Sequence, residues 1–437
     1  MIGARWRARR MAGSLAAYRA IYEEKRAERD SFQLHALETA WTESLRRSPW
    51  ARVFRERLGL PDRFASWEQF RDLVPVQAKK DLWSVVQAGP RRDAPRNEDL
   101  VWRATGGTTA EPLNFPVFQG EPEFSTLDFW TGRARLGVTP EDRAFLLWGH
   151  SHLFGSGFGG LKARARRALT DLALGYTRWS AYRLSARDLE AALAALLRSR
   201  ARYVLGYSTA LARFAEANLG AAERIHQLKL KAVIATAESF PSRDARERVH
   251  ACFGCPVVME YGSVETGPIA YQRPSGGYDV FWAHHRLEAV PSSVAHERHE
   301  LVVTSLYPRA LPIMRYSIGD LVELGTGEDV ASTFSKVIGR CNDMLYTPTG
   351  RPFHSEAFTH AIRDIEGVRG FQIVRGPGGV ARSVRYEADG PLPDERLAEI
   401  RRRLGLLDPA FASISVEHAA RLERSIAGKS RMVVNEP

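Results

Sequence analysis

The sequence predicts an α/β protein of two domains: a large N-terminal domain built on mainly parallel sheets and a small α+β C-terminal domain. A chain of 437 residues is too long for one ordinary hydrophobic core, so two domains are expected. Between about residues 100 and 330, short apolar runs alternate with helical segments, which is typical of a parallel sheet. The pattern changes near residue 340, and we place the domains at 1–338 and 339–437.

The N-terminal segment is predicted to be mainly helical. Residues 13–47 carry many charges and repeat apolar side chains at three- and four-residue spacing, as Leu37 and Trp41 illustrate. Beyond this segment, Pro61 and Pro75 interrupt the apolar pattern. We therefore expect a long, mainly helical stretch followed by short helices.

The middle of the chain supplies the predicted parallel sheet. Its apolar runs, which are predicted strands, read AFLLWG, YVLGY, KAVIATA, PVVMEYG and ELVVTSL. The intervening segments, which have helical periodicity, read ARDLEAALAALLRSR, STALARFAEANLG and SRDARERVHACFG. This order favours strand–helix–strand units.

The C-terminal segment predicts a compact α+β module. A helix is expected over SEAFTHAIRDIEGV, with Ser355 as its cap and Phe358, Ile362 and Ile365 on one face. The strands RGFQIVR and RSVRYEA follow, joined by a Gly-Pro-Gly-Gly turn at 376–379. The helix DERLAEIRRRLGLL and the strand ASISVEHA complete the module.

The basic composition allows several kinds of partner. A net charge of +11 and a pI near 9.7 suit nucleic acid, a membrane surface or an anionic small molecule. The arginine clusters at 5–10, 162–169 and 401–404 match no known pattern of interleaved aromatic residues, which favours solvated helix surfaces. The longest apolar run, AALAALL at 191–197, is too short to span a bilayer. We therefore expect neither a nucleic-acid nor a membrane partner.

The three cysteines bear on the compartment and on metal binding. Three cysteines in so long a chain do not form a disulfide framework, and no apolar segment follows the N-terminal arginines, so a cytoplasmic protein is expected. Cys252 and Cys255 form a C-x-x-C pair without a second Cys/His pair nearby. Buried thiols are favoured over a metal or redox site.

A loop with the sequence ATGGTTAEP suggests a phosphate site. The pattern G-x-x-x-x-G-K-[ST] is absent, so this is not a Walker loop. Paired glycines and paired hydroxyls give a mobile backbone with donors that can wrap around phosphate oxygens. The candidate phosphate-binding residues are Thr105, Gly106, Gly107, Thr108 and Thr109.

Polar residues also follow two predicted strands. In VIATAESFP, an apolar strand leads into Thr236, Ala237 and Glu238, a position where α/β sheets present ligand-binding groups. The alternative is an ordinary turn with Glu238 near a helix start. We weigh these two interpretations equally.

The segment MEYGSVETGP has the composition of a nucleotide site. Tyr261 could lie flat on a purine, Gly262 lets a backbone approach closely, and Glu265 could hold Mg²⁺ through a hard oxygen. The alternative, a plain surface turn, is less favoured because the segment follows so apolar a strand.

Two further segments are weak signals by themselves and are supported by the other motifs. Arg315 and Asp320 lie in LPIMRYSIGDLVEL, which we interpret as strand–turn–strand, and a carboxylate in a turn can accept both ribose hydroxyls. An ordinary hairpin is the alternative for this segment. Lys429 follows a glycine in SIAGKSRM, and its alternative is a solvated surface lysine.

Taken in order, TGGTTAEP, TAES, YGSVETG, RYSIGD, GRCND and GKSR resemble the motif series of the adenylate-forming superfamily, and most closely its phenylacetate–CoA ligase-like family. The N-terminal segment SPWARVFRERLGLP also resembles the opening of that family. The resemblance covers about residues 35–435. It implies an AMP-forming ligase that joins a small carboxylic acid to ATP as an acyl-adenylate and then passes the acyl group to coenzyme A.

The resemblance also implies roles for individual residues. The 105–109 loop would grip the β- and γ-phosphates, with Ala237 and Glu238 also at the nucleotide. Tyr261 and Gly262 would lie at adenine, and Glu265 would ligate Mg²⁺. Asp320 would bind the ribose, and Arg340 would approach the ribose or a phosphate. Lys429 would stabilise the charge that develops in the adenylation step. Since Lys429 lies on the small domain, that domain would swing between the two steps.

Departures from the motifs keep the acceptor open. Val264 stands where Ser or Thr is usual, and Ser317 and Ile318 replace an arginine and a threonine. Asn342 replaces the hinge aspartate that the second step uses, so an amine, a hydroxyl or a carrier-protein thiol is an alternative to coenzyme A. The non-enzymatic alternative is a degenerate nucleotide-binding or nucleic-acid-binding protein. The presence together of Glu265, Asp320 and Lys429 argues against it.

The acid pocket is predicted beside LWGHSHLFGSGFGG. His152 and Phe154 of this segment would line the entry of the carboxylate, with Tyr207 and Thr236 at neighbouring strand ends. A glycine-rich connection with a structural histidine is an equally weighted alternative. The sequence does not define the oligomeric state, and it is compatible with a homodimer.

Overall fold

The computed structural model describes residues 2–90, 99–104, 113–148, 158–181, 184–240, 244–292, 298–327, 329–340, 344–362, 365–423 and 432–435. The chain forms two compact units. The first unit comprises Met1–Glu43, Gln119–Arg286 and Ser305–Pro308. The second unit comprises Ser44–Phe118, Leu287–Thr304 and Arg309–Pro437.

The described chain begins with five helices, alternates between strands and helices from Ala144 to Ser263, and continues with consecutive strands up to His354. The α-helices are α1 (Ile2–Glu24), α2 (Arg29–Arg47), α3 (Pro49–Leu58), α4 (Trp67–Leu73), α5 (Lys79–Ala88), α6 (Glu121–Ala134), α7 (Phe158–Leu174), α8 (Ala186–Ser199), α9 (Ser208–Asn218), α10 (Ala222–His226), α11 (Ala245–Phe253), α12 (Ser355–Ile362) and α13 (Asp394–Leu407). The strands are β1 (Leu100–Ala104), β2 (Asn114–Phe118), β3 (Ala144–Leu147), β4 (Tyr176–Trp179), β5 (Tyr203–Tyr207), β6 (Ala232–Thr236), β7 (Val257–Ser263), β8 (Gly267–Gln272), β9 (Tyr278–Val280), β10 (His285–Pro291), β11 (His299–Ser305), β12 (Tyr316–Glu323), β13 (Thr333–Phe334), β14 (Lys336–Arg340), β15 (Met344–Tyr346), β16 (Pro352–His354), β17 (Gly370–Arg375), β18 (Ala381–Glu387), β19 (Ser415–His418) and β20 (Val433–Asn435). None of the described helices is long and apolar enough to cross a membrane.

The predicted mainly helical N-terminal stretch is confirmed, and it consists of two helices. Helix α1 ends at Glu24 and α2 begins at Arg29. In the turn between them, the N–H of Glu28 donates to the carbonyl of Lys25 at 3.2 Å. The sequence analysis missed this break because neither glycine nor proline marks it.

The predicted parallel sheet is confirmed in the first unit. Its strands pair in the order β9-β8-β7-β6-β5-β3-β4. Strands β3 to β7 are parallel, whereas β8 and β9 run antiparallel to their neighbours. The predicted strands AFLLWG, YVLGY, KAVIATA and PVVMEYG form here at the expected positions. The fifth run, ELVVTSL, forms β11, which pairs antiparallel with β12 in another sheet, so its assignment to the parallel sheet was wrong. The fold class is therefore correct.

Burial on both faces explains the continuous apolar runs of these strands. In β3, Phe145 and Leu147 join one hydrophobic core, whereas Ala144 and Leu146 join another. Because successive side chains of a strand point to opposite faces, a sheet covered on both sides needs apolar residues at every position. This is the physical reason that periodicity alone shows no polar–apolar alternation here.

Local signals position the helices of the second unit. In α3, Ser48 caps the N-terminus, accepting the N–H of Ala51 on its Oγ at 3.2 Å, and Pro49 occupies the first turn. The helix ends at Gly59, whose φ of 63° is the left-handed conformation that glycine adopts without strain. Strands β10, β11, β12 and β14 form a four-stranded sheet in that order.

Residues 344–435 have a sheet and a hydrophobic core of their own. The sheet has the order β19-β18-β17-β20, with a parallel strand on each side of an antiparallel central pair. Phe358, Ile362 and Ile365 are buried in this core, as their spacing predicts. Ser355 is the first residue of α12.

Candidate functional site

The predicted site residues fall into three groups. Those that lie outside the described residues are Thr105, Gly106, Gly107, Thr108, Thr109, His152, Phe154 and Lys429. Those in the first unit are Tyr207, Thr236, Ala237, Glu238, Tyr261, Gly262 and Glu265. Those in the second unit are Asp320 and Arg340. The functional role of each stays a prediction, and the described geometry follows.

The parallel sheet aligns several predicted residues along one edge. Tyr207 at the end of β5 is the register partner of Thr236 at the end of β6, which in turn pairs with Glu260 of β7. The carboxyl ends of parallel strands form the edge at which α/β sheets bind ligands. The Tyr207 ring is buried and lies against Trp148, with 4.7 Å between ring centroids.

The chain turns sharply after β6. Ala237 has a φ of 72°, a left-handed conformation that costs a non-glycine residue about 1–2 kcal/mol. Glu238 then turns toward helix α9: its carbonyl accepts the Ser208 hydroxyl at 2.6 Å, and its carboxylate accepts the N–H of Thr209 at 3.1 Å. The carboxylate therefore caps the N-terminus of α9, where negative charge is stabilising. The helix that Glu238 caps precedes β6 in the chain, whereas the helix that follows β6, α11, begins only at Ala245.

Gly262 is required by the approach of the neighbouring strand. A Cβ atom placed on Gly262 would lie 2.2 Å from the carbonyl oxygen of Gly267 in β8. No side chain tolerates such a distance without moving the backbone. The space beside Gly262 is thus filled by the neighbouring strand. The approach of a nucleotide to Gly262 stays a prediction. The preceding residue, Tyr261, is half-buried, with its ring centroid 6.0 Å from that of Tyr278.

Glu265 lies in the turn between β7 and β8. The N–H of Thr266 donates to Ser263 Oγ at 3.1 Å, and the two hydroxyls are 3.0 Å apart, which closes the turn. Thr266 is fully buried, and Glu265 is 8% exposed. Val264, at the position where the family has Ser or Thr, is 45% exposed. The side chains of Ser263 and Thr266 therefore stabilise the turn that carries Glu265.

A single carboxylate suits one kind of metal site. The described residues contain no group of three or more His, Cys, Asp or Glu side chains able to hold a metal ion. Mg²⁺ in nucleotide enzymes is commonly bound by one or two carboxylates together with substrate phosphates and water. The Glu265 turn fits an ion of that kind, which ATP would bring with it.

A buried ion pair supports β7 beside Tyr261. Arg133 of α6 and Glu260 lie 3.2 Å apart, with side chains 9% and 6% exposed. Burial raises the pKa of Glu260, and the attraction of Arg133 opposes that rise. The arginine also lies 5.1 Å from the centroid of the Trp130 ring. Sequence reasoning missed this pair because its members are more than a hundred residues apart.

A second buried cluster surrounds Asp128 of α6. Its Oδ1 accepts the Tyr18 hydroxyl and lies 3.0 Å from Nδ1 of His284, while Oδ2 lies 3.7 Å from Nε2 of His285. Tyr22 extends the cluster, with its hydroxyl 2.8 Å from that of Tyr18. Burial raises the pKa of Asp128, but the histidines lower it more, so the pKa lies below its ordinary value. The sequence analysis assigned no role to these residues, because the members of the cluster lie far apart in the chain.

Asp320 and Arg340 meet across two antiparallel strands. They are register partners in β12 and β14, with Arg340 Nε 2.8 Å from Asp320 Oδ1. Arg340 also donates to the carbonyl of Ile318 at 3.2 Å. Asp320 lies inside β12 and not in a turn, which corrects the strand–turn–strand interpretation. Gly319, with a φ of 77°, lies within the continuous strand and is not a turn residue.

Arg315, from the same motif, links two separate segments of the second unit through its side chain. Its Nε donates to the Glu288 carboxylate at 3.0 Å, and its Nη1 donates to the carbonyl of Val74 at 2.8 Å. Its own φ of 45° is a left-handed conformation. These contacts assign Arg315 a structural part in joining β10 to the chain before α5.

The two cysteines of the C-x-x-C pair lie in the protein interior. Cys252 and Cys255 are free thiols, 0% and 4% exposed, in the hydrophobic core of the first unit. Burial raises the pKa of each thiol to about 12, so both stay protonated at neutral pH. The prediction of buried thiols is confirmed.

Comparison with known proteins gives one relative by sequence. No family model matches the chain. Protein CapK of Staphylococcus aureus is 29% identical over 126 residues, which is 28% of this chain and 28% of that protein. The match thus spans little more than a quarter of the length of the relative.

Comparison with solved structures covers nearly the whole chain. 2-Hydroxyisobutyryl-CoA ligase in the postadenylation state, in complex with 2-HIB-AMP, matches with a TM-score of 0.70 and 18% identity. That match covers 94% of this chain and 90% of the ligase. The amide bond synthetase McbA from Marinactinospora thermotolerans matches with a TM-score of 0.54 and 16% identity, over 79% of this chain and 71% of McbA. At such identities, the likeness is one of fold.

Proposed function

We propose that this chain, which has the fold of the adenylate-forming enzymes, is an ATP-dependent, AMP-forming carboxylic acid ligase. The observation that carries the proposal is the match over 94% of the chain to a ligase in complex with an acyl-adenylate, 2-HIB-AMP. It is supported by six motifs that occur in the family's order along the sequence. In the first step, the carboxylate would attack the α-phosphorus of ATP, releasing pyrophosphate and leaving an acyl-adenylate.

The described residues would bind the nucleoside part of ATP. Tyr261, at the end of a strand in the parallel sheet, would lie against adenine beside Gly262. Asp320 would accept the ribose hydroxyls, and its pairing with Arg340 at 2.8 Å supports an ionised carboxylate held in one orientation. The half-exposed guanidinium of Arg340 would also reach the ribose or a phosphate. Ala237 and Glu238 would form the backbone loop beside the nucleotide.

The phosphates and the metal would be bound by the turn and by residues outside the described parts of the chain. Glu265 would hold Mg²⁺, which neutralises phosphate charge when ATP is bound. Thr105, Gly106, Gly107, Thr108 and Thr109 would surround the departing pyrophosphate, and Lys429 would stabilise the charge that develops on carboxylate and phosphate oxygens. The acid would be bound between the 148–158 segment, with His152 and Phe154, and the strand ends at Tyr207 and Thr236.

The second step would transfer the acyl group to coenzyme A, by analogy with the CoA ligases among the structural neighbours. A second candidate acceptor is an amine, which the similarity to the amide bond synthetase McbA supports. Asn342 stands where the resembled family has its hinge aspartate, and this replacement also favours an acceptor other than coenzyme A. A hydroxyl or a carrier-protein thiol would serve by the same chemistry.

We also propose the division into a large domain, 1–338, and a small mobile domain, 339–437. The separate sheet and hydrophobic core of residues 344–435 support it. The buried, free thiols of Cys252 and Cys255 support a reducing compartment, and we propose the cytoplasm. A homodimer is the assembly to test first.

Exchange of labelled pyrophosphate into ATP tests the proposal. With a panel of small carboxylic acids, at least one acid should make the exchange measurable, because adenylation is reversible while the enzyme holds the adenylate. AMP release measured with and without coenzyme A then separates a CoA ligase from the alternatives. No exchange with any acid, together with no ATP binding, would favour a protein that has kept the fold and lost the chemistry.

A further inference from the structure

The turn that carries Glu265 is anchored from outside by a tyrosine. The hydroxyl of Tyr307 donates to the carbonyl of Thr266 at 3.1 Å. Both residues are buried, with Tyr307 4% exposed and Thr266 fully buried. A hydrogen bond shielded from water in this way restrains the backbone directly after Glu265.

The Tyr307 ring is itself fixed on three sides. It stacks on Phe124 of α6, with 4.6 Å between ring centroids and an interplanar angle of 13°. His284 and His285 present their rings edge-on at 5.6 and 5.9 Å. The hydroxyl therefore has a defined position from which to hold the turn.

Helix α6 ties this arrangement to the buried cluster around Asp128. Asp128 lies one helical turn after Phe124, on the same face, and accepts a hydrogen bond from His284 at 3.0 Å. The same helix meets the turn directly, because a Cβ on Gly267 would lie 2.6 Å from Ser125 Oγ. Helix α6 thus contacts His284 through Asp128, Tyr307 through Phe124 and the Glu265 turn through Ser125.

We propose that Tyr307 is a positioning residue for nucleotide binding: it holds the turn Ser263–Gly267 so that Glu265 faces ATP and its metal ion in a preset geometry. The proposal rests on the proposed function, since Glu265 is the metal ligand only if the protein binds ATP. Tyr307 would act through the turn and would not itself contact ATP or the metal ion. Its effect would be to reduce the conformational freedom that the turn must lose when ATP binds.

The substitution Tyr307→Phe tests this directly, because it keeps the ring and removes only the hydroxyl. We expect backbone amides of residues 263–267 to exchange hydrogen roughly three to ten times faster in the variant, as expected for one lost hydrogen bond. The affinity for ATP in MgCl₂, measured by calorimetry, should fall by a similar factor. Exchange elsewhere in the sheet should be unchanged.

Tyr386→Phe is the matched control. Tyr386 is equally buried, and its hydroxyl accepts the N–H of Leu392 at 2.9 Å, in the C-terminal module. It should lose comparable thermal stability without any change in the 263–267 amides or in ATP affinity. If Tyr307 is only structural, both variants should lose stability while both keep the wild-type affinity for ATP.

The outcomes separate the inference from the proposed function. Unchanged exchange of the 263–267 amides in Tyr307→Phe would overturn the anchoring, whatever the protein binds. Faster exchange with unchanged ATP affinity would overturn the positioning part. If the wild-type protein binds no ATP in MgCl₂, the proposed function fails together with the part assigned to Glu265, while the exchange comparison still decides the anchoring.

Discussion

Asp320 and Arg340 face each other across the antiparallel strands β12 and β14, with 2.8 Å between carboxylate oxygen and guanidinium nitrogen. Asp320 is nearly buried, whereas the side chain of Arg340 is half exposed. An arginine held by a fixed carboxylate keeps its remaining donors in a defined direction. The pair therefore has the form of a binding element with one anchored and one accessible partner.

Replacing the anchored partner should weaken ATP binding. For Asp320→Asn, we expect a Kd for ATP roughly ten to a hundred times higher, because hydrogen bonds to an ionised group contribute about 1.5–3 kcal/mol. Calorimetric titration with ATP measures the change. The control is Arg298→Ala, which breaks an exposed ion pair with Glu323 on the same strand and should leave the affinity unchanged. Equal affinities for wild type and Asp320→Asn would remove Asp320 from the ribose site.

Lys429 should act on the chemical step and not on ATP binding. In Lys429→Ala, pyrophosphate exchange should fall by roughly two to three orders of magnitude, as is typical when a group that stabilises developing charge is lost. The affinity for ATP should stay within about twofold of wild type. Stopped exchange with intact ATP binding supports the assignment. Exchange at the wild-type rate would contradict it.

Gly262 should tolerate no side chain. Gly262→Ala places a Cβ 2.2 Å from the Gly267 carbonyl oxygen, so the hairpin must distort, at a cost of about 1–3 kcal/mol in the free energy of unfolding. Urea unfolding measures the loss. Gly13→Ala is the control, because Gly13 lies within α1 with nothing within 4 Å of an added Cβ. That variant should be more stable by about 0.5–1 kcal/mol.

The Asp128 cluster should give a pH-dependent stability. The pKa of Asp128 is lowered in the folded protein, so its contribution is present above the unfolded pKa of about 3.9 and is lost as the pH falls through the lower folded value. At neutral pH, Asp128→Asn should destabilise the protein by about 3–5 kcal/mol, because it breaks a buried charged network. The difference from wild type should narrow as the pH is lowered from about 5 to about 3.

Urea unfolding at each pH tests this prediction. The control is Asp30→Asn, which removes an exposed carboxylate 3.0 Å from Arg286 in the same unit. It should cost less than about 1 kcal/mol. A destabilisation by Asp128→Asn that does not change with pH would mean that the carboxylate charge is not what the histidines stabilise.

The sequence predicted the sheet of the first unit well because its strands are buried on both faces. Runs such as AFLLWG and KAVIATA are apolar at every position, and strands of this kind are defined by local composition. The boundaries of α13 were equally predictable, since the segment from Asp394 to Leu407 is periodic and follows a proline. These elements could be predicted because the residues within each segment determine its secondary structure.

The rest depends on contacts between residues far apart in sequence. Asp320 was predicted in a turn because a glycine precedes it, yet the pairing of β12 with β14 keeps the strand continuous. The anchoring of the Glu265 turn by Tyr307 has no sequence motif, because its partners come from α6 and from the segment after β11. Tertiary pairing overrides local propensity at these positions.

The contact between Glu238 and the first turn of α9 limits how the proposed acid pocket could be engineered. Tyr207, the last residue of β5, directly precedes α9, so the contact of Glu238 with α9 couples the loop after β6 to the end of β5. Grafting the 236–240 loop of a homologue without its own 205–210 segment would leave the recipient helix without its cap. Chimeras designed to accept a new acid should therefore exchange both segments together.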